Sequence, residues 1–438
     1  MFPWWKKKVP LIGVVLFRGT LAPRADEFAC LVKLGVTVKP LDGGPGAPWR
    51  LTLVHPQWGE AELGCAKGMP VLPRELLEYA RLTPQEKQDA LAGGVAVMIK
   101  MDPSHENLLR DRKRLLRYLR AVLGDSGVAS LDATSYRVWS RDALDDELQH
   151  DADLDVEGLF SVHAVTGGDD DKPYWMHTHG LGEIGGFDFD IVEPSEDIFG
   201  GRVGPDIFRA LAFAIVERRV EPNTPRFVLA SPGGEVGFVE IGAFLKRAPR
   251  RVIQQLAGNT DEFHLKNHAV LCESGRGGFL GWLFGPKAEP SRFLSSPVPD
   301  EIVLQFSTEA SDLMAERARR TYAVFRRLAA EMREFQFPVL AKMGYRVDGG
   351  GQDAKEHLWF EVHECLDDAV DATLANTPFN IERMKAGDRG KHPIELLSDW
   401  TILTPAGSIT PRDLLPARLI RPHREELREA MKAAKAGS

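Results

Sequence analysis

Residues 174–193 read YWMHTHGLGEIGGFDFDIVE, and the reading of this stretch decides how the rest of the chain is organised. Tyr174 to His179 has strand length and carries two histidines, while Phe187 to Val192 alternates with period two. The glycines between them, Gly180, Gly182 and Gly185, match the spacing of a dinucleotide-binding fingerprint. That fingerprint works only when its turn opens a helix whose N-terminus meets the pyrophosphate. Here the residues that follow predict a second strand. The glycines are expected to serve a sharp strand-to-strand turn, and nucleotide binding is excluded.

On a strand, His177 and His179 leave the same face. Such a pair holds zinc or another transition metal when a third ligand faces it. His163, Asp188 and Asp190 are the available partners, and Asp188 is the expected third ligand or base. The competing reading places one imidazole in the core and the other along a groove lined by His163, Glu183 and Asp190. On that reading no cofactor is bound. His264 and His268 stand four apart, without the intervening glutamate of a zincin, and read as coincidence.

Working outward, the first third alternates strand and helix signals in the order β-α-β-β-α-β, the pattern of a ferredoxin-like sandwich. A helix from about Leu108 to Leu123 follows, with Arg110, Arg112, Lys113, Arg114, Arg117 and Arg120 expected on its outer, solvated face. The acidic stretch 142–157 reads as a linker. Residues 308–335 predict the longest helix, with apolar positions at steps of four and three. The fold class is therefore α+β. Its parts are a ferredoxin-like domain (1–148), a central mixed α/β domain with the histidine strand (149–306), a connecting helix (307–335) and a small β-rich module (336–438).

Composition excludes several functions. A net charge of −8 and a pI near 5.9 do not describe a protein built to neutralise phosphates, so nucleic acid is not an expected partner. No apolar run is long enough for a membrane span. Four dispersed cysteines, Cys30, Cys65, Cys272 and Cys365, form no CxxC pair and suggest a reducing cytoplasm.

The last third carries spaced strings: Glu356-His357-Leu358-Trp359, Asn376-Thr377-Pro378, Lys385-Ala386-Gly387-Asp388 and Asp399-Trp400. In this order they resemble the bacterial domain-of-unknown-function family 2314. The string His177-Thr178-His179-Gly180-Leu181 looks like the companion family 4026. Neither family has an agreed activity, so the resemblance implies architecture rather than chemistry. Trp359 and Trp400 are expected as core anchors or interface residues. With no assembled catalytic set, the leading expectation is a non-enzymatic bacterial cytoplasmic protein that binds another protein, immunity-like or stress-associated. The alternative is a metal-dependent hydrolase using the histidine strand. Oligomeric state is not readable.

Overall fold

The computed structural model describes residues 10–19, 23–42, 49–65, 76–77, 80–92, 94–104, 108–149, 156–166, 172–200, 203–256, 267–275, 288–298, 303–304, 306–350 and 354–436. The chain divides into two compact units, Met1–Phe306 and Ser307–Ser438.

The first unit opens with seven strands: β1 (Leu11–Phe17), β2 (Thr37–Leu41), β3 (Trp49–His55), β4 (Gly59–Cys65), β5 (Val95–Met101), β6 (Gly127–Asp132) and β7 (Arg137–Trp139). They form one sheet in the order β2-β3-β4-β5-β1-β6-β7, with every pairing antiparallel. This corrects the ferredoxin-like expectation. One split crossover survives: the helix Leu108–Leu123 carries the chain from β5 to β6, which flank β1. The other is replaced by a meander from β2 to β5. The departure lies after the expected hairpin at Pro56–Gly59: β4 pairs with β5, Leu63 opposite Ile99, whereas the ferredoxin-like order would set it beside β1, whose two edges are taken by β5 and β6.

The helix Leu108–Leu123 buries Leu115, Leu116, Leu119, Val122 and Leu123. Gly13 lets it approach β1 closely, since a Cβ there would lie 2.6 Å from a Leu119 methyl. Its basic residues are not all on the outside. Arg112 and Lys113 are buried, and Arg112 pairs with buried Asp132. Arg114 pairs with Asp111 at 2.9 Å, and Arg120 with Asp145 at 2.6 Å. The expected acidic linker also begins as structure. Ser140 caps the helix Arg141–Leu148 by accepting from the Ala143 amide at 3.0 Å, and Leu144 is buried. Residues 150–155 of that linker lie outside the described ones.

The second sheet of this unit contains β8 (Ser161–Thr166), β9 (Pro173–His179), β10 (Asp188–Val192), β11 (Phe227–Ser231), β12 (Gly234–Glu240), β13 (His268–Glu273) and β14 (Val303–Leu304). Their order is β14-β11-β12-β13-β10-β9-β8, with β10 and β13 parallel and the other pairings antiparallel. The helix Gly204–Val216 is buried along most of its length, and its Phe208 stacks on Phe189 of β10 at 5.4 Å. Trp175, Val192, Val239, Phe244, Val252 and Val270 form a further core cluster. The expected boundary at 148/149 falls between the two sheets, inside one compact unit.

The second unit holds β15 (Val339–Arg346), β16 (Lys355–Cys365), β17 (Ala369–Leu374), β18 (Arg389–Pro393), β19 (Leu397–Thr404) and β20 (Gly407–Ile409), in the order β18-β17-β16-β15-β19-β20 and antiparallel throughout. The expected single connecting helix is two helices, Thr308–Arg320 and Tyr322–Met332. The break is at Thr321, whose hydroxyl donates to the Arg317 carbonyl at 2.8 Å and accepts the Trp400 indole N–H at 3.0 Å. Back-bonding of this kind bends helices. Tyr322, Phe325, Leu328 and Met332 share a core with Met343, Phe360 and Trp400, so the segment is the packing layer of this unit rather than a connector. Among the described residues, no helix is long and apolar enough to cross a membrane.

Candidate metal centre in the first unit

The histidine strand is β9, and the segment after it is extended again. A short 3-10 turn, Gly182–Ile184, leads into β10, with Gly185 in the left-handed region at φ 86°. No helix opens at Gly185, so no row of free amides faces a phosphate.

The antiparallel register sets His163 of β8 opposite His177 of β9. Directly opposed residues project from the same face, and His179 joins them at a spacing of two. The ring centres of His163, His177 and His179 lie 5.5, 4.7 and 4.8 Å apart. One ligand nitrogen from each lies within 4.8 Å of the others. Imidazoles on a tetrahedral zinc would bring those nitrogens to roughly 3.3 Å, a contraction of about 1.5 Å. His177 and His179 are each 3% exposed, and His163 is half-buried on the edge strand. The donor set is all nitrogen, which suits zinc, copper, iron or nickel.

His163, rather than Asp188, stands third. The Asp188 carboxylate is consumed by the glycine turn. It accepts the Thr178 hydroxyl at 2.9 Å and the amides of Gly180, Leu181 and Gly182 at 3.1–3.3 Å. Asp190 is likewise committed: it accepts the Trp175 indole N–H at 2.9 Å and faces the His268 Nδ1 at 3.3 Å. His268, read from spacing as coincidence, is the first residue of β13 and lies 6.0 Å from His179, ring to ring. It was findable only from the parallel pairing that sets it opposite Asp188. Burial pushes its pKa down, but Asp190, Asp188 and Glu183 together lift it above the usual histidine value.

Glu183 sits in the turn, where burial first, and then the negative charge of Asp188, push its carboxyl up to about 7. A further ring comes from a turn of the first sheet. Tyr136, between β6 and β7, has its ring 5.2 Å from His179 and 5.9 Å from His163.

The motif residues of the second unit are mostly spoken for by the fold. The Glu356 carboxylate accepts the amides of Phe379 and Asn380 at 2.7 and 2.8 Å. Asn376 accepts the Trp359 amide at 2.9 Å, and Asp388 closes its turn on Lys385. Asp399 accepts the Trp400 amide and pairs with Arg412 at 3.3 Å. Trp400 is fully buried and stacks on Phe325 at 4.9 Å. Trp359 is half-buried beneath the Lys342 ammonium.

A family model described as an uncharacterized protein conserved in bacteria, DUF2314, matches residues 309–410. The match begins within the helix Thr308–Arg320, upstream of the module boundary expected at 336. No curated protein and no solved structure matches the chain.

Proposed function

We propose that the chain is a metalloprotein whose first unit holds one transition-metal ion on His163, His177 and His179, with metal-assisted hydrolysis as its reaction class. One observation carries this reading: two neighbouring strands deliver three imidazoles to one place with their ligand nitrogens within 4.8 Å. Three protein ligands leave coordination positions for water, which a bound metal acidifies. Glu183, in the turn four residues after His179 and poised near neutrality, is the candidate for proton exchange. The resemblance of this region to family 4026 rests on the same histidine string and concerns the fold around the centre. A non-enzymatic protein-binding role in the cytoplasm, the expectation drawn from modular architecture, has no comparably defined cluster behind it among the described residues.

The test is elemental analysis of the full chain, stripped with chelator and reloaded with zinc. About one ion per chain is expected, with loss in the His177→Ala/His179→Ala variant. Metal-dependent turnover of a chromogenic phosphate or carboxylate ester would accompany it. A parent protein that binds no ion, or a variant that binds as much, contradicts the proposal.

A further inference from the structure

Tyr136 occupies an expensive position. It adopts φ 52°, the left-handed region that L side chains avoid and that bulky residues rarely enter. Glycine or asparagine would make this turn at lower cost. Strain of this kind persists where surrounding structure over-determines it, often at a functional site.

The surroundings do pin this turn. Asp132 accepts the Thr134 amide and the Ser135 hydroxyl, each at 3.0 Å, and is itself held by buried Arg112. The Ser135 carbonyl accepts the Ser161 hydroxyl, whose oxygen lies 3.2 Å from His163 Nε2. The turn is thus tied to the histidine strands themselves. The result sets a phenol ring against His163 and His179, as a fourth ring beside three imidazoles. Trp175, the aromatic beside His177, has its indole N–H committed to Asp190.

We propose that Tyr136 is a metal ligand, its phenolate oxygen joining the three histidine nitrogens in an N3O donor set. This rests on the metal centre proposed above and goes further, naming a ligand from the other sheet and with it the class of ion. On binding, the phenol O–H bond breaks, its proton leaves to solvent and the oxygen pair is donated to the metal. An anionic oxygen beside three imidazoles suits ferric or cupric ion, which accept higher coordination and leave positions for water or substrate.

The experiment loads the full chain with iron from ferric nitrilotriacetate and records ion stoichiometry, visible absorption and resonance Raman spectra. Expected are about one ion per chain, an intense phenolate-to-iron band with phenolate ring modes, and loss of both signals in Tyr136→Phe at unchanged iron content. Tyr136→Phe keeps the ring and removes only the oxygen, and the Raman signature of the parent does not depend on any variant folding. Bound iron without the band, or a band that survives in Tyr136→Phe, overturns this ligand assignment and leaves the three-histidine centre standing. A parent that takes up no iron overturns this ligand assignment; if it also takes up no zinc in the reloading test above, the three-histidine centre falls with it.

Discussion

Glu183 follows the histidine strand by four residues, and its carboxyl has been lifted from 4.5 to about 7. Burial is the larger cause, and Asp188 adds repulsion that Arg112 only partly offsets. A carboxyl with a raised pKa keeps its proton in the folded protein when the unfolded chain has already lost it. Its cost is absent below about pH 4.5, grows through the window up to about 7, and is constant above. Glu183→Gln removes that cost. In urea denaturation the variant is expected to match the parent near pH 4 and to exceed it by on the order of 3 kcal/mol at pH 8. An equal effect at both pH values contradicts the account. At this scale, legibility followed geometry. The shared face of His177 and His179 follows from spacing alone, whereas His163 entered the cluster through the β8–β9 register. The bonds of Asp188 to the turn's amides were not legible, because such side-chain bonds leave no periodic trace in sequence.

Between β9 and β10, the glycine turn is the element that holds the centre in shape. Gly180 adopts φ 115°, and a Cβ there would collide with the Leu159 carbonyl oxygen and sit 2.8 Å from the Ser135 Cβ. The same close approach lets the β6–β7 turn reach the histidines. Gly180→Ala is expected to cost at least about 1–2 kcal/mol from backbone conformation alone, and to lower metal affinity by displacing His179. Thermal denaturation and a metal-competition titration check both; unchanged stability and affinity contradict the assigned role. Strand and turn identity here were readable from period-two alternation and glycine spacing. The helix break at Thr321 was not, because it depends on Trp400, seventy-nine positions away, meeting a hydroxyl that turns back on its own helix.

At the level of the whole molecule, the two units divide the chemistry unevenly. The motifs that made the C-terminal region recognisable, from Glu356 to Trp400, chiefly close turns and fill a core, which is why recognising them said little about activity. The three-histidine cluster lies in the first unit, outside the span of the matched family model. The basic residues of the helix Leu108–Leu123 include a buried pair, Arg112 and Lys113, and Arg112, Arg114 and Arg120 each pair with a carboxylate. Fold class was legible because α+β follows from local periodicity. The seven-stranded order was not, because strand neighbours are chosen by long-range pairing.

Anomalous diffraction from crystals of the zinc-loaded protein tests the central claim most directly. The account predicts one strong peak among His163, His177 and His179, at about 2.0–2.1 Å from a nitrogen of each. A peak elsewhere, or three imidazoles with no peak between them, would contradict it.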